Sequence, residues 1–174
     1  TNPNPLVGAV IVKNGEIIGE GFHKALGHAH AEVNAFKSCK SDLKDATMYV
    51  SLEPCSHYGR TPPCAKAIIE SGIKKVIVSM VDPNPKVSGN GIKMLRDAGV
   101  EVITGVLENE ARKQNEIFIK YISYNRPFVI LKTAMTMDGK IASVTGDSKW
   151  ITCDASRNYV HHIRDRVSAV MVGI

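Results

Sequence analysis

Aromatic side chains are scarce in this 174-residue chain, which holds one Trp, four Phe and five Tyr. Positive charge is modest, a net +5, and no long Lys/Arg block gathers it. A nucleic-acid surface would pair a basic stripe with interleaved aromatics, so the sequence argues against nucleic acid as a partner. The mild charge suits a solvated surface or attraction of a phosphorylated small molecule. No apolar run approaches the roughly 20 residues of a membrane helix, so no membrane contact is expected. There is no internal repeat and no low-complexity tract. No G-x-G-x-x-G follows a strand pattern, so the dinucleotide fingerprint is missing. Cysteine is limited to Cys39, Cys55, Cys64 and Cys153. An even count can signal disulfides in a small secreted domain. Here the size and the Cys/His pattern favour reduced thiols in a cytoplasmic enzyme, with Cys39 and Cys153 free. No secretory signal is expected, and because the chain does not begin with Met, N-terminal residues are expected to be missing from its first domain.

What is present is a set of metal ligands in a telling order. His30-Ala31-Glu32 opens an apolar run. A strand-like Met48-Tyr49-Val50-Ser51-Leu52 leads into Glu53-Pro54-Cys55, and Cys64 follows. One imidazole and two thiolates suit Zn²⁺, and three protein ligands leave the fourth position to water, the mark of a catalytic site. Glu32 lies two positions from His30 and can stand beside the metal without binding it. That is the arrangement of zinc deaminases, where the metal activates water and the glutamate moves protons. A structural site would need a fourth donor, for which His28 and His57 are the nearby candidates. Only His30 makes H-x-E, which sets the register and leaves His28 as a loop residue.

The remaining patterns predict an α/β sandwich. Val7 to Lys13 and Glu16 to Phe22 read as a hairpin turned by Asn14-Gly15. Ala29 to Lys40 has helical spacing, and Ala46 to Leu52 is a strand. Pro63 to Ser71 is a helix closed by Gly72. Lys74 to Met80 is a buried strand, Ser88 to Ala98 a helix closed by Gly99, Val100 to Thr104 a strand, and Glu108 to about Tyr121 a helix. Arg126-Pro127 punctuates the chain. Beyond it come a strand from Phe128 to Thr133, a helix from Asp154 to Arg166 with Asp154 as N-cap, and a strand from Ser168 to Val172. Those pieces cannot close a core alone. The expected organisation is a zinc-dependent deaminase domain over 1–122 and an incomplete second domain over 127–174.

Several segments together resemble one family, the bifunctional riboflavin-biosynthesis deaminase/reductases. They are Asn2-Pro3-Asn4-Pro5-Leu6-Val7-Gly8-Ala9-Val10, His30-Ala31-Glu32, Glu53 through Cys64, Val81-Asp82-Pro83-Asn84-Pro85, Lys132 through Ala142, Ser148 through Thr152, and the helix from Ser156-Arg157 to Arg164. Many deaminases carry P-C-x-x-C. Here eight residues separate Cys55 from Cys64, as in this family. The resemblance implies a cytidine-deaminase-like α/β/α sandwich followed by the start of a dihydrofolate-reductase-like α/β domain. It implies Zn²⁺ on His30, Cys55 and Cys64, with Glu32 as catalytic acid and base. The implied substrate is a phosphorylated pyrimidine, the diaminopyrimidinone ribosylamino phosphate. Asn4, His23 and Asn84 resemble positions that contact it, although Asn4 and Asn84 also suit plain turns in Pro-flanked loops. His57 and Arg60 are the side chains in the long insert that could reach it, and a guanidinium suits a phosphate. In the second domain the resemblance implies NADPH, with Lys132, Ala134 and Trp150 toward the cofactor and Ser148 and Arg164 toward substrate. On sequence grounds alone Trp150 is equally a core residue. A homo-oligomer is expected from the family and from sheet edges that need cover. Two readings compete with the riboflavin pathway: a zinc deaminase of another nucleoside or nucleotide, and a non-catalytic structural zinc module.

Overall fold

The computed structural model describes residues 1–58, 62–85 and 87–173. It divides into two compact units, Thr1–Phe128 and Val129–Ile174. The first unit is built on a mixed five-stranded sheet. Its strands are β1 (Gly8–Lys13), β2 (Glu16–Phe22), β3 (Thr47–Leu52), β4 (Lys75–Met80) and β5 (Glu101–Thr104). Their spatial order is β2-β1-β3-β4-β5. β1 runs antiparallel to both β2 and β3, and β3, β4 and β5 are parallel. The helices of this unit are α1 (Ala31–Ser38), α2 (Cys64–Glu70), α3 (Asn90–Asp97), α4 (Glu108–Gln114) and α5 (Glu116–Tyr124).

The hairpin forms where Asn-Gly predicts it, with φ of 53° at Asn14 and 82° at Gly15, the left-handed pair that a two-residue turn requires. A bulge follows, because Ile11 pairs with Gly19 and the next residue, Val12, pairs with Ile17. Alternation then sends Ala9 and Ile11, Met48 and Val50, and Val76 and Val78 into one core with Ala31 and Ala35 of α1, Ile68 of α2 and Leu95 of α3. Ile11, Met48, Ile68, Val76, Val78 and Leu95 are wholly buried, each contributing roughly 1.5–3 kcal/mol relative to exposure.

Helix α1 does more than pack. Ser38 Oγ accepts from the Glu20 amide at 2.8 Å and donates to the Glu20 carbonyl at 2.8 Å. Asn34 Nδ2 donates to the Phe22 carbonyl at 2.8 Å, and the Lys40 amide to the Ile18 carbonyl at 3.3 Å. These bonds use polar groups on the outer edge of β2. The β2 edge of the sheet is therefore covered within the chain.

Four expectations need correction. The helix predicted over Glu108 to Tyr121 is two helices, α4 and α5, parted at Asn115 (φ −106°, ψ 17°). The buried Asn115 amide accepts from the Leu6 amide at 2.8 Å and donates to the Leu6 carbonyl at 2.9 Å, and this long-range tie takes priority over helix continuity. Asp154 is the first residue of α6 (Asp154–Arg166), not its cap; Cys153 holds the cap position with φ −68° and ψ 166°. Asp154 instead pairs with Arg157 one turn on and places a carboxylate in the first turn, where the helix dipole favours it. The predicted strands Phe128 to Thr133 and Ser168 to Val172 carry no ladder, because the described residues of the second unit supply no strand to pair with.

The contact of α1 with β2 depends on glycine. A Cβ on Gly21 would lie 2.3 Å from the Ala35 nitrogen and 2.6 Å from the Ala31 carbonyl oxygen, both backbone atoms that cannot swing aside. We predict that Gly21→Ala lowers unfolding free energy by at least about 2 kcal/mol through overpacking. Gly8→Ala, whose Cβ meets nothing within 4 Å, should stay within about 0.5 kcal/mol. Urea denaturation of the two variants checks this; equal losses would refute it.

Candidate metal centre

Three chain segments end at one point. The first is the entry to α1, where His30 occupies the N-cap in extended conformation (φ −68°, ψ 163°). The second is the loop leaving β3, which carries Cys55. The third is the start of α2, where Cys64 is the first helical residue after Pro63. The Ala65 amide donates to the Cys55 carbonyl at 3.1 Å, and the Cys64 amide reaches Cys55 Sγ at 3.3 Å. His30 Nδ1 lies 3.6 Å from Cys55 Sγ and 3.3 Å from Cys64 Sγ. One ligand atom from each of the three residues lies within 4.8 Å of the others.

A nitrogen and two sulfurs so disposed fit Zn²⁺, for which thiolate and imidazole are the usual donors. Among the described residues no fourth side chain joins the group. His28 and His57 are both exposed and outside it. The donor set is thus that of an open, three-ligand site.

The electrostatics fit a cation as well. Without one, a hydrogen bond from Cys64 lowers the Cys55 thiol, opposed by burial and helped by His30 and the Cys64 amide. The same thiolate, together with burial, pushes Cys64 far up. His30 is raised, chiefly by its hydrogen bond to Cys55. A metal ion would stabilise both sulfurs as thiolates.

Glu32 sits in the first turn of α1 and is only 3 % exposed. Burial pushes its carboxyl up to about 6; the Cys55 thiolate adds to this, while its own backbone amide, His30 and a hydrogen bond from Cys64 oppose it. A carboxyl in that range can both take and return a proton near neutral pH.

The other anticipated residues divide into groups. Asn4 and His23 meet each other: Asn4 Nδ2 is 2.9 Å from His23 Nε2, and His23 Nδ1 is 3.1 Å from the Ala29 carbonyl. The carbonyl can only accept, so Nδ1 carries the proton and Nε2 accepts from Asn4. The His23 ring is buried and stands edge-on to His30 with centroids 5.7 Å apart. Asn84 lies beyond β4 in a loop where its amide donates to Asp82 Oδ1 at 2.8 Å. His57 is exposed and close enough to favour the Asp82 carboxylate. Arg60 lies outside the described residues.

In the second unit, Lys132, Ser148 and Arg164 are exposed and Ala134 half-buried. Trp150 is 70 % exposed, with the Arg157 guanidinium 4.5 Å over its ring. An open groove of about 570 Å³ runs between Ile130–Thr133 and the face of α6 bearing Tyr159 and Ile163. Lys132 lines it; Ala134, Ser148, Trp150 and Arg164 are not among its lining residues.

Two carboxylates near the metal cluster escaped the sequence reading. Asp82 is buried, and burial pushes its carboxyl up, opposed by the Asn84 amide. Glu53, two residues before Cys55, is 4 % exposed. The signal available for Glu53 was a charged residue ending an apolar strand, a position that folding leaves buried unless the chain turns there.

Comparison with known proteins follows the same division of the chain. Residues 1–80 match the family described as the cytidine and deoxycytidylate deaminase zinc-binding region, and residues 127–174 match the RibD C-terminal domain. The riboflavin biosynthesis protein RibD of Actinobacillus pleuropneumoniae is 57% identical over 174 residues, covering 100% of this chain and 46% of that protein. That of Aquifex aeolicus is 55% identical, covering 100% of this chain and 49% of that protein. A solved diaminohydroxyphosphoribosylaminopyrimidine deaminase/5-amino-6-(5-phosphoribosylamino)uracil reductase from Thermotoga maritima superposes with a TM-score of 0.89 at 56% identity, over 94% of this chain and 47% of that one. The chain thus spans about half the length of the curated relatives it matches. The fold is cytidine-deaminase-like. With a His/Cys/Cys centre in its first unit and matching sequence throughout both units, the chain belongs to the RibD family of riboflavin biosynthesis proteins.

Proposed function

We propose that residues 1–122 form a hydrolytic deaminase acting on 2,5-diamino-6-ribosylamino-4(3H)-pyrimidinone 5′-phosphate. Residues 127–174 begin the domain that reduces the ribosyl group of the product to ribityl with NADPH. The observation that carries the first half is an open three-ligand centre with a buried, non-ligating carboxyl beside it. His30, Cys55 and Cys64 would hold zinc, which supplies a Lewis acid that activates water near neutral pH. Glu32 takes a proton from the water that adds to the amine-bearing ring carbon and delivers it to a ring nitrogen. It then takes the proton of the newly bound hydroxyl and passes it to the amine as the carbon–nitrogen bond breaks, leaving a ring carbonyl and ammonia. Its raised carboxyl suits both duties. Asn4, His23, Asn84 and His57 contact the substrate, and the guanidinium of Arg60 suits its phosphate.

The reductase half rests on the family, with Lys132, Ala134 and Trp150 toward NADPH and Ser148 and Arg164 toward substrate. We further propose a cytoplasmic homo-oligomer that binds small molecules and no nucleic acid; no helix among the described residues is long and apolar enough to cross a membrane.

The test is ammonia release by the zinc-loaded protein from the ribosylaminopyrimidine phosphate, with cytidine and deoxycytidylate in parallel. Release from the first alone, lost by a factor of about 10³ or more in Glu32→Gln with zinc retained, is the expected result. Release from cytidine or deoxycytidylate instead would keep the deaminase chemistry and overturn the substrate. No release from any, with zinc bound, would make the zinc structural.

A second prediction concerns chelated protein. Glu32 ionises near 4.5 in an unperturbed state and about 6 when folded. Between those values the folded chain holds the extra proton, so stability falls as pH rises. Glu32→Gln removes that dependence. Across pH 4 to 7.5 its stability relative to the parent should rise by about 2 kcal/mol, read by urea denaturation; parallel curves would contradict the buried-carboxylate account.

A further inference from the structure

Among the described residues the Glu53 side chain is bonded to main chain. Oε2 accepts from the Asp82 amide at 3.1 Å and the Gly89 amide at 2.9 Å. Oε1 accepts from the Gly91 amide at 2.9 Å and the Ile92 amide at 3.3 Å. Four backbone donors surround one buried carboxylate. Two belong to the first turn of α3, whose own N-cap, Gly89, offers no side chain. The other two are the residues at either end of the segment from Asp82 to Gly89, which carries Asn84. The backbone of Glu53 is fixed as well, its amide donating to the Met80 carbonyl at 3.0 Å. Next along the chain, Pro54 presses on α3 so closely that a Cβ on Gly91 would lie 1.9 Å from the Pro54 carbonyl oxygen. Cys55 follows directly.

From this arrangement we infer that Glu53 is a positioning residue of the deaminase site, setting Asp82, and with it Asn84, and the entry to α3 in register with the metal ligand Cys55. A charged acceptor is required because four N–H groups converge on it. Bonds from backbone amides to a carboxylate are stronger than those to a neutral amide, and a buried N–H left without an acceptor is costly. Glutamine in the same place offers one oxygen and one NH₂ group. Whichever way it turns, one pair of amides faces a donor: Asp82 with Gly89, or Gly91 with Ile92. Among the described residues the hydrogen bonds of the Glu53 side chain go to backbone amides, and none goes to the side chains of His30, Cys55 or Cys64. Its influence passes through the loop, so substrate binding is affected before the chemistry on the ring.

The inference rests on the deaminase reading, and its test separates the two. Glu53→Gln, zinc-loaded, is compared with the parent for zinc content, for KM and kcat on the ribosylaminopyrimidine phosphate, and for hydrogen exchange at the amides of Asp82, Gly89, Gly91 and Ile92. The expected result is one zinc per chain as in the parent, KM raised about 10-fold or more with kcat within about threefold, and faster exchange at one of the two amide pairs. Should Glu53→Gln not fold, Glu53→Asp carries the same readouts. It keeps the charge but is one methylene shorter, and a smaller KM rise is expected. Unchanged KM in a variant that merely unfolds more easily would overturn the inference, as would loss of zinc, which would assign Glu53 to holding Cys55 alone. A parent that deaminates normally beside an unaffected variant sinks this inference only. A parent that releases no ammonia sinks the deaminase reading and this inference with it.

Discussion

Everything in the first unit depends on the end of β3 meeting the beginnings of α1 and α2. The ligand atoms of His30, Cys55 and Cys64 come from positions spread over 35 residues of sequence, yet they lie within 4.8 Å of one another. No flexible loop could hold two sulfurs and an imidazole so close against their mutual desolvation. Rigid elements do it. The glycines of β2 let α1 lie directly on the strand, and the parallel pairing of β3 with β4 fixes where Cys55 emerges. The helix entries also contribute electrostatically, since unpaired amides at the start of a helix favour nearby negative charge. The cluster gathers thiolates and a carboxylate there, and a cation satisfies what the amides alone cannot.

A second layer of order is made by polar side chains bonded to distant backbone. Asn115 ties the α4–α5 junction to Leu6, Ser38 and Asn34 tie α1 to the edge of β2, and Glu53 ties β3 to the entry of α3. Among the described residues no buried side-chain nitrogen or oxygen lacks a hydrogen-bond partner. Such bonds add modest net stability, but leaving a buried group unpaired is expensive. They therefore act mainly on geometry, choosing one placement of each loop over its alternatives. This is the kind of support a reaction centre needs if its substrate-facing loops are to hold still.

The sequence was most informative where local chemistry decides local structure. Asn14-Gly15 announced its turn, and the β-branched runs announced β3 and β4 to within a residue of their observed starts at Thr47 and Lys75. The metal group was legible from His30, Cys55 and Cys64 because ligand type and order carry it regardless of fold. The illegible parts are those decided at a distance. Nothing near Asn115 says that its amide will bond to Leu6, so an even helical pattern hid the break. The charge of Glu53 gave no hint of four amides converging on it from residues 82 to 92. The mutual bond of Asn4 and His23 joins two segments whose spacing predicts nothing. The segments 128–133 and 168–172 read as strands by composition, but a strand exists only through its neighbour.

The account turns on the centre having three protein ligands and an open position. X-ray absorption at the zinc edge of the loaded protein measures that directly. It should find one zinc per chain with two sulfurs at about 2.3 Å, one imidazole nitrogen at about 2.0–2.1 Å and one additional oxygen. A fourth protein nitrogen or sulfur in that shell, or zinc well below one per chain, would contradict it.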